Sequence, residues 1–165
     1  HQPIMKHQFI KTTSSCITTV ALTLSLAFSA PYAVGSKVEP FSAKDQHEQE
    51  FTLAPKKTQF LLVSHDMETG KKANIALSAL GKEYLGSKKA VYVANIHGMP
   101  GIGRMFAMPK MRKYTHRIIL GDDAALIANF SEEKGKVTVL KLSGGKVKSV
   151  YYWSPETQQL DVALK

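Results

Sequence analysis

The chain has 165 residues, one cysteine, and 22 lysines and arginines against 13 acids, a formal charge of +9. A single cysteine excludes an internal disulfide framework, a dithiol centre and a cysteine-built zinc site. The bases are scattered without an arginine-rich stripe or aromatic interleaving, so the charge reads as a soluble basic surface and nucleic acid is not an expected partner.

Read from Met5, a short basic segment with Lys6, His7 and Lys11 runs into an uncharged stretch, residues 17–28, that carries Val20, Leu22, Leu24 and Leu26. This is the layout of a cleavable export signal. Its apolar core is about a dozen residues, short of the roughly 20 that span a bilayer. Small residues at Ala27 and Ser29 supply one cleavage site and Ala33 a second, so the mature chain is expected to start between residues 30 and 34. Residues 1–4 then read as upstream sequence and residues 34–165 as one domain. Cys16 leaves with the signal. Removing Lys6 and Lys11 as well lowers the bases to 20 against 13 acids, a formal +7. The expected location is exported, periplasmic in a Gram-negative cell and otherwise secreted, with no membrane contact after cleavage.

Along the domain, residues 38–43 and 49–53 flank a polar Asp45-Gln46-His47-Glu48 and predict a small leading hairpin. Residues 58–64 form an apolar run of strand length, suited to the centre of a sheet. From Lys71 the period changes, and Ile75, Leu77, Leu80, Tyr84 and Leu85 predict one helical face. A second strand, residues 90–96, leads through a Gly/Pro loop, residues 98–103, into a helical pattern at 104–114, interrupted near Pro109. A third strand is expected at 116–120, followed by a turn at Gly121-Asp122-Asp123. Residues 137–142 and 147–152 around Ser143-Gly144-Gly145-Lys146 predict a hairpin. Ser154-Pro155-Glu156 predicts the start of a closing helix with Leu160 and Leu164 on one face. This order implies an α/β fold: a mixed sheet with helices on both faces, an N-terminal hairpin extension and a C-terminal β-hairpin plus helix.

With that order on the page, the chain resembles the thioredoxin-like superfamily. Val34-Gly35-Ser36-Lys37-Val38 leading to Phe41-Ser42-Ala43-Lys44-Asp45-Gln46 looks like the leading segment of its peroxiredoxin and periplasmic thiol-reductase branches, and Phe60-Leu61-Leu62-Val63 like its central strand. The resemblance implies a Cys-x-x-Cys pair opening the first helix, where the helix N-terminus lowers a thiol pKa. In this chain Glu68 and Lys71 take those places, and Lys136-Val137-Thr138 takes the place of the family's cis-proline. Both parts of the redox site are absent. The chain also resembles small exported thioredoxin-fold proteins of unassigned function that lack the cysteine pair and share a Gly-Ile-Gly-Arg-Met-Phe-like loop.

Three constellations are candidates for chemistry. His65, Asp66, Glu68, Thr69, Gly70, Lys71 and Lys72 occupy the degenerate redox position, where a helix N-terminus and two cations suit an anion. Gly98, Gly101 and Gly103 with Arg104, followed by Asp122 and Asp123, carry part of a dinucleotide fingerprint and would hold a flavin or nicotinamide; Phe106 stands at the third glycine position. His97, Met99, Met105, Met108, Met111 and His116 are a thioether and imidazole set suited to Cu(I). A methionine period of three is also how a helix packs a core. Catalytic residues are not expected. The function expected is a non-catalytic exported module, without cofactor, that binds an envelope protein or a small anion; a periplasmic Cu(I) protein and a flavin or nicotinamide enzyme are the alternatives.

Overall fold

The computed structural model describes residues 2–3 and 30–165, so the basic and apolar parts of the expected signal, with Cys16, lie outside the described residues. Tyr32 already belongs to the folded body. Its backbone N–H donates to the Asn129 carbonyl and its ring meets Phe130 edge-on at 5.6 Å.

A leading hairpin pairs β1 (Ser42–Lys44) with β2 (Glu50–Thr52). The main sheet has five strands in the order β5-β4-β3-β6-β7. At its centre β3 (Phe60–Ser64) lies parallel to β4 (Ala90–Asn95) on one side and antiparallel to β6 (Val137–Ser143) on the other. The edge strand β5 (Ile119–Gly121) runs parallel to β4, and β7 (Lys146–Trp153) closes the hairpin with β6. Gly144 and Gly145 have φ of +58° and +81°, the paired positive values that a two-residue hairpin turn with the right twist requires.

Every residue of β3 is buried, which explains its nearly continuous apolar sequence. Alternate side chains feed two cores. Phe60 and Leu62 join Ala73, Leu77, Val139, Trp153 and Leu160 on one face. Leu61 and Val63 join Val38, Leu53, Phe130 and Leu140 on the other, covered by the hairpin and by α4 (Ala124–Ala128). Leu61, Leu62 and Val63 are fully buried, each contributing about 1.5–3 kcal/mol of apolar transfer.

Four boundaries differ from the sequence reading. Helix α1 (Met67–Leu80) starts at Met67 rather than near Lys71, because Asp66 caps it: the Asp66 carboxylate accepts the Thr69 N–H at 2.8 Å. Its buried stripe is Thr69, Gly70, Ala73, Asn74 and Leu77. Ile75 and Leu80, expected inside, are 65% and 40% exposed, and Tyr84 and Leu85 belong to a separate short helix, α2 (Tyr84–Ser87), beyond Gly81 at φ +88°.

The other three concern α3, β5 and the last helix. Helix α3 (Gly101–Lys113) begins three residues earlier than expected and runs unbroken through Pro109. Residues 116–118 are not ladder-paired strand. There the Gln46 side chain imitates a strand edge, with Nε2 donating to the His116 carbonyl at 2.8 Å and Oε1 accepting the Ile118 N–H at 2.9 Å. The closing helix α5 is only Leu160–Ala163, without a side-chain cap at its start. Gln158 instead holds the preceding turn, taking the Trp153 indole N–H on its carbonyl at 2.9 Å. Both Leu160 and Leu164 are buried, as expected.

Candidate functional site

The carboxyl ends of β3 and β4 deliver α1 and α3 to one edge of the sheet, the place where open α/β sheets bind ligands. Between the two helices lies a pocket of about 70 Å³. Met67, Met99, Ala107, Met111 and Tyr114 supply its apolar wall, Ser64 and Asn74 its polar floor, and Lys71 and Lys110 also line it. Neither lysine forms a salt bridge among the described residues.

The floor is a buried polar network. Ser64 Oγ and the Tyr92 hydroxyl, each 1% exposed, are 2.8 Å apart. His116 Nε2 meets Asn74 Oδ1 at 2.9 Å, which makes Nε2 the protonated ring nitrogen and leaves Nδ1, buried without a partner, as a bare acceptor. Burial pushes the His116 pKa down to about 4, so the ring is neutral at ordinary pH. Burial likewise raises the Tyr92 phenol well above its usual value. The ring of Tyr114 lies 5.3 Å from that of His116 and links the network to the pocket wall.

The residues expected at the degenerate redox position are brought together, but most are already engaged. Asp66 accepts both the N–H and the hydroxyl of Thr69, and its carbonyl accepts the Gly70 N–H at 2.9 Å. Thr69 and Gly70 therefore lie inside the helix, not in a loop before it, and their donors are not open to an anion. Glu68 is the second and Lys71 the fifth residue of α1. Lys72 points away to Glu156 at 3.2 Å. His65 Nε2 reaches Thr138 Oγ1 at 2.9 Å, and that hydroxyl donates to the Ser131 carbonyl, so the imidazole is the donor in its pair. Burial lowers the His65 pKa against the opposing pull of Glu132 and Asp66.

The glycine loop does not form a dinucleotide cradle. Gly101 and Gly103 sit in the first turn of α3, and a side chain at Gly98 or Gly101 would meet open space, so neither marks a close backbone approach. The two acids that would hold a ribose are committed elsewhere. Asp123 caps α4 through the Ala125 N–H, and Asp122 takes both guanidinium nitrogens of Arg104 at 2.7 and 2.8 Å. That guanidinium lowers the Asp122 pKa and also donates to the Ile96 carbonyl, tying α3 to the sheet edge.

The thioether set divides rather than converging. Met99 and Met111 line the pocket described above. Met108 lines a separate, charged depression of about 400 Å³ with Arg104 and Asp122, and Met105 is 70% exposed. His116 is committed to Asn74 and His97 is exposed near Asp122. Sequence reasoning passed over Asn74, Tyr92 and Tyr114. Asn74 carried a signal: it is a polar residue beside Ala73 and one turn before Leu77 on the buried stripe.

Against known proteins, no protein-family model matches the chain, and no curated protein matches it. Solved structures do. It is similar to peroxidoxin BcpB from Mycobacterium tuberculosis, at 14% identity and TM-score 0.53 over 81% of this chain and 94% of that one. It is similar also to the thioredoxin domain of a thiol-disulfide oxidoreductase from Bacteroides vulgatus (11%, TM-score 0.51, 81% and 99%) and to a peroxiredoxin-like protein from Aquifex aeolicus (13%, TM-score 0.51, 81% and 85%). The chain therefore has the thioredoxin-like fold. Within residues 30–165 it has no thiol with which to run the chemistry those names describe.

Proposed function

We propose that the protein is a non-catalytic, exported thioredoxin-like module that holds an apolar side chain of a protein partner in the pocket between α1 and α3, without thiol-disulfide activity. One observation carries the reading: at the end of the central strand, a capped and thiol-free helix borders a pocket whose walls are methionine, alanine and tyrosine. Thioether and ring walls accept a side chain by burial. Lys71 and Lys110 favour acidic neighbours on that partner. A small free anion is less well supported, because the Asp66 carboxylate already takes the Thr69 N–H and sets an acid at that helix end. Cu(I) and nucleotide cofactors lose support for the geometric reasons given above.

The test is selection of a displayed peptide library on the purified domain. An apolar residue flanked by Asp or Glu is the expected consensus, with binding lost in Ala107→Trp, which fills the pocket, and weakened in Lys71→Gln/Lys110→Gln. No consensus, or a consensus indifferent to Ala107→Trp, refutes the reading. Insulin-disulfide reduction by the wild-type chain would refute its non-catalytic part.

A further inference from the structure

Helix α3 turns much of its apolar surface outward. None of its thirteen residues is fully buried, and three of its large apolar side chains face solvent: Ile102, Met105 and Phe106 are 69%, 70% and 66% exposed. They stand three and four positions apart and so share one face. Turned inward instead are Arg104, held by Asp122, and Met111, packed on the core. The helix contains four bases, Arg104, Lys110, Arg112 and Lys113, and no acid. At 3.6 residues per turn, Lys113 continues the line of Ile102 and Phe106, while Lys110 and Arg112 fall on either side of it. All three of these bases are exposed.

From this juxtaposition, an exposed apolar ridge edged with cations, we infer that the outer face of α3 docks on an anionic lipid surface, lying in the plane of the headgroups. An exposed helix with apolar residues on one face and Lys/Arg along its margins meets the boundary between headgroups and acyl chains with both kinds of group satisfied. A second copy of the chain is a poor occupant, because two such faces would oppose three exposed bases to three, with no acid on either helix. A protein would have to offer a groove to this convex ridge. No helix among the described residues is long and apolar enough to cross a membrane, so the contact is peripheral. The scattered-lysine reading of the sequence passed over this cluster, whose juxtaposition with the exposed Ile102 and Phe106 appears only once the helix is in place.

The experiment is co-sedimentation of the purified domain with vesicles of phosphatidylcholine alone and of equal parts phosphatidylcholine and phosphatidylglycerol. Binding is expected to the mixed vesicles only, and high salt abolishes it. Ile102→Ser/Phe106→Ser lowers the partition on the order of a hundredfold, and Lys110→Gln/Lys113→Gln on the order of tenfold or more. These side chains are exposed, so the variants keep the wild-type circular dichroism. In Phe106→Trp the new indole shifts its emission to the blue on mixed vesicles, whereas Trp153, fully buried, stays constant. Equal binding to both vesicle types, no binding, or partition unchanged by Ile102→Ser/Phe106→Ser overturns the inference. So does a solution dimer dispersed by Ile102→Ser/Phe106→Ser, which assigns the face to a second copy.

Discussion

Replacing Ser64 by alanine strands the Tyr92 hydroxyl, and the result is an ordering of stabilities that simple loss of contacts does not give. Both residues are 1% exposed and their oxygens are 2.8 Å apart, with no other side-chain partner for either. A buried hydroxyl left unpaired costs about 1–3 kcal/mol, whereas removing both partners of a buried pair is nearly neutral. Ser64 also borders the pocket, so when Tyr92→Phe leaves it alone it can turn to water there, and that variant should lose only about 1 kcal/mol. Tyr92 does not border the pocket. Ser64→Ala should therefore be the less stable single variant, and adding Tyr92→Phe to it should restore about 1 kcal/mol. Urea unfolding followed by the fluorescence of buried Trp153 reads each midpoint, and a difference of this size moves it by about 0.5 M. A double variant less stable than Ser64→Ala refutes the pairing as a source of stability.

Stability should fall on mild acidification. His116 has a folded pKa of about 4 against 6.5 when free, so its contribution is complete above about 6.5 and is lost as the unfolded chain takes up a proton between the two values, at most about 3 kcal/mol in all. His65, also lowered by burial, acts in the same direction. Urea midpoints for wild type and His116→Gln at about pH 7 and pH 5 check this, the variant showing the shallower dependence. Asp66→Ala removes the α1 cap and should cost about 1 kcal/mol in the same assay. Gly121→Ala should cost about 1–3 kcal/mol, since its Cβ would stand 2.8 Å from Ile127 Cδ1 and 3.1 Å from Val93 Cγ1; a thermal midpoint unchanged by this substitution would show that the edge strand can yield.

What sequence revealed and what it withheld divide along a physical line. The strands were legible because burial on both sides leaves only apolar residues in β3, and because two adjacent glycines mark the hairpin turn of β6 and β7. Helix phase was less so. Ile75 and Leu80 suggested a stripe starting at Lys71, yet the helix starts at Met67 and buries Thr69, Gly70, Ala73, Asn74 and Leu77 instead. Spacing pointed to the start of the first helix but gave no sign of the pocket beside it, whose wall comes from Met99 and Ala107, thirty or more residues along the chain from Met67. Each motif read as a unit, the glycine loop and the methionine triplet, was divided by the helix that carries it, because consecutive turns of α3 face a pocket, a charged depression and solvent.

The absence of thiols from residues 30–165 and the presence of Asp66 act in the same direction at this end of α1. A helix N-terminus lowers a thiol pKa only while its partial positive charge is unspent. In this chain a carboxylate at the cap accepts the Thr69 N–H and places a full negative charge at that end of α1, where it offsets the helix field and would repel a thiolate forming in the first turn. A dithiol centre restored at Glu68 and Lys71 would begin with its electrostatics reversed. The same cap bonds Asp66 to Thr69, which is itself 2% exposed, and this first turn contributes Asp66, Met67 and Gly70 to the pocket lining. The features that oppose a thiolate at this end of α1 also leave its first turn as a capped part of the pocket lining, in keeping with the side-chain binding proposed above.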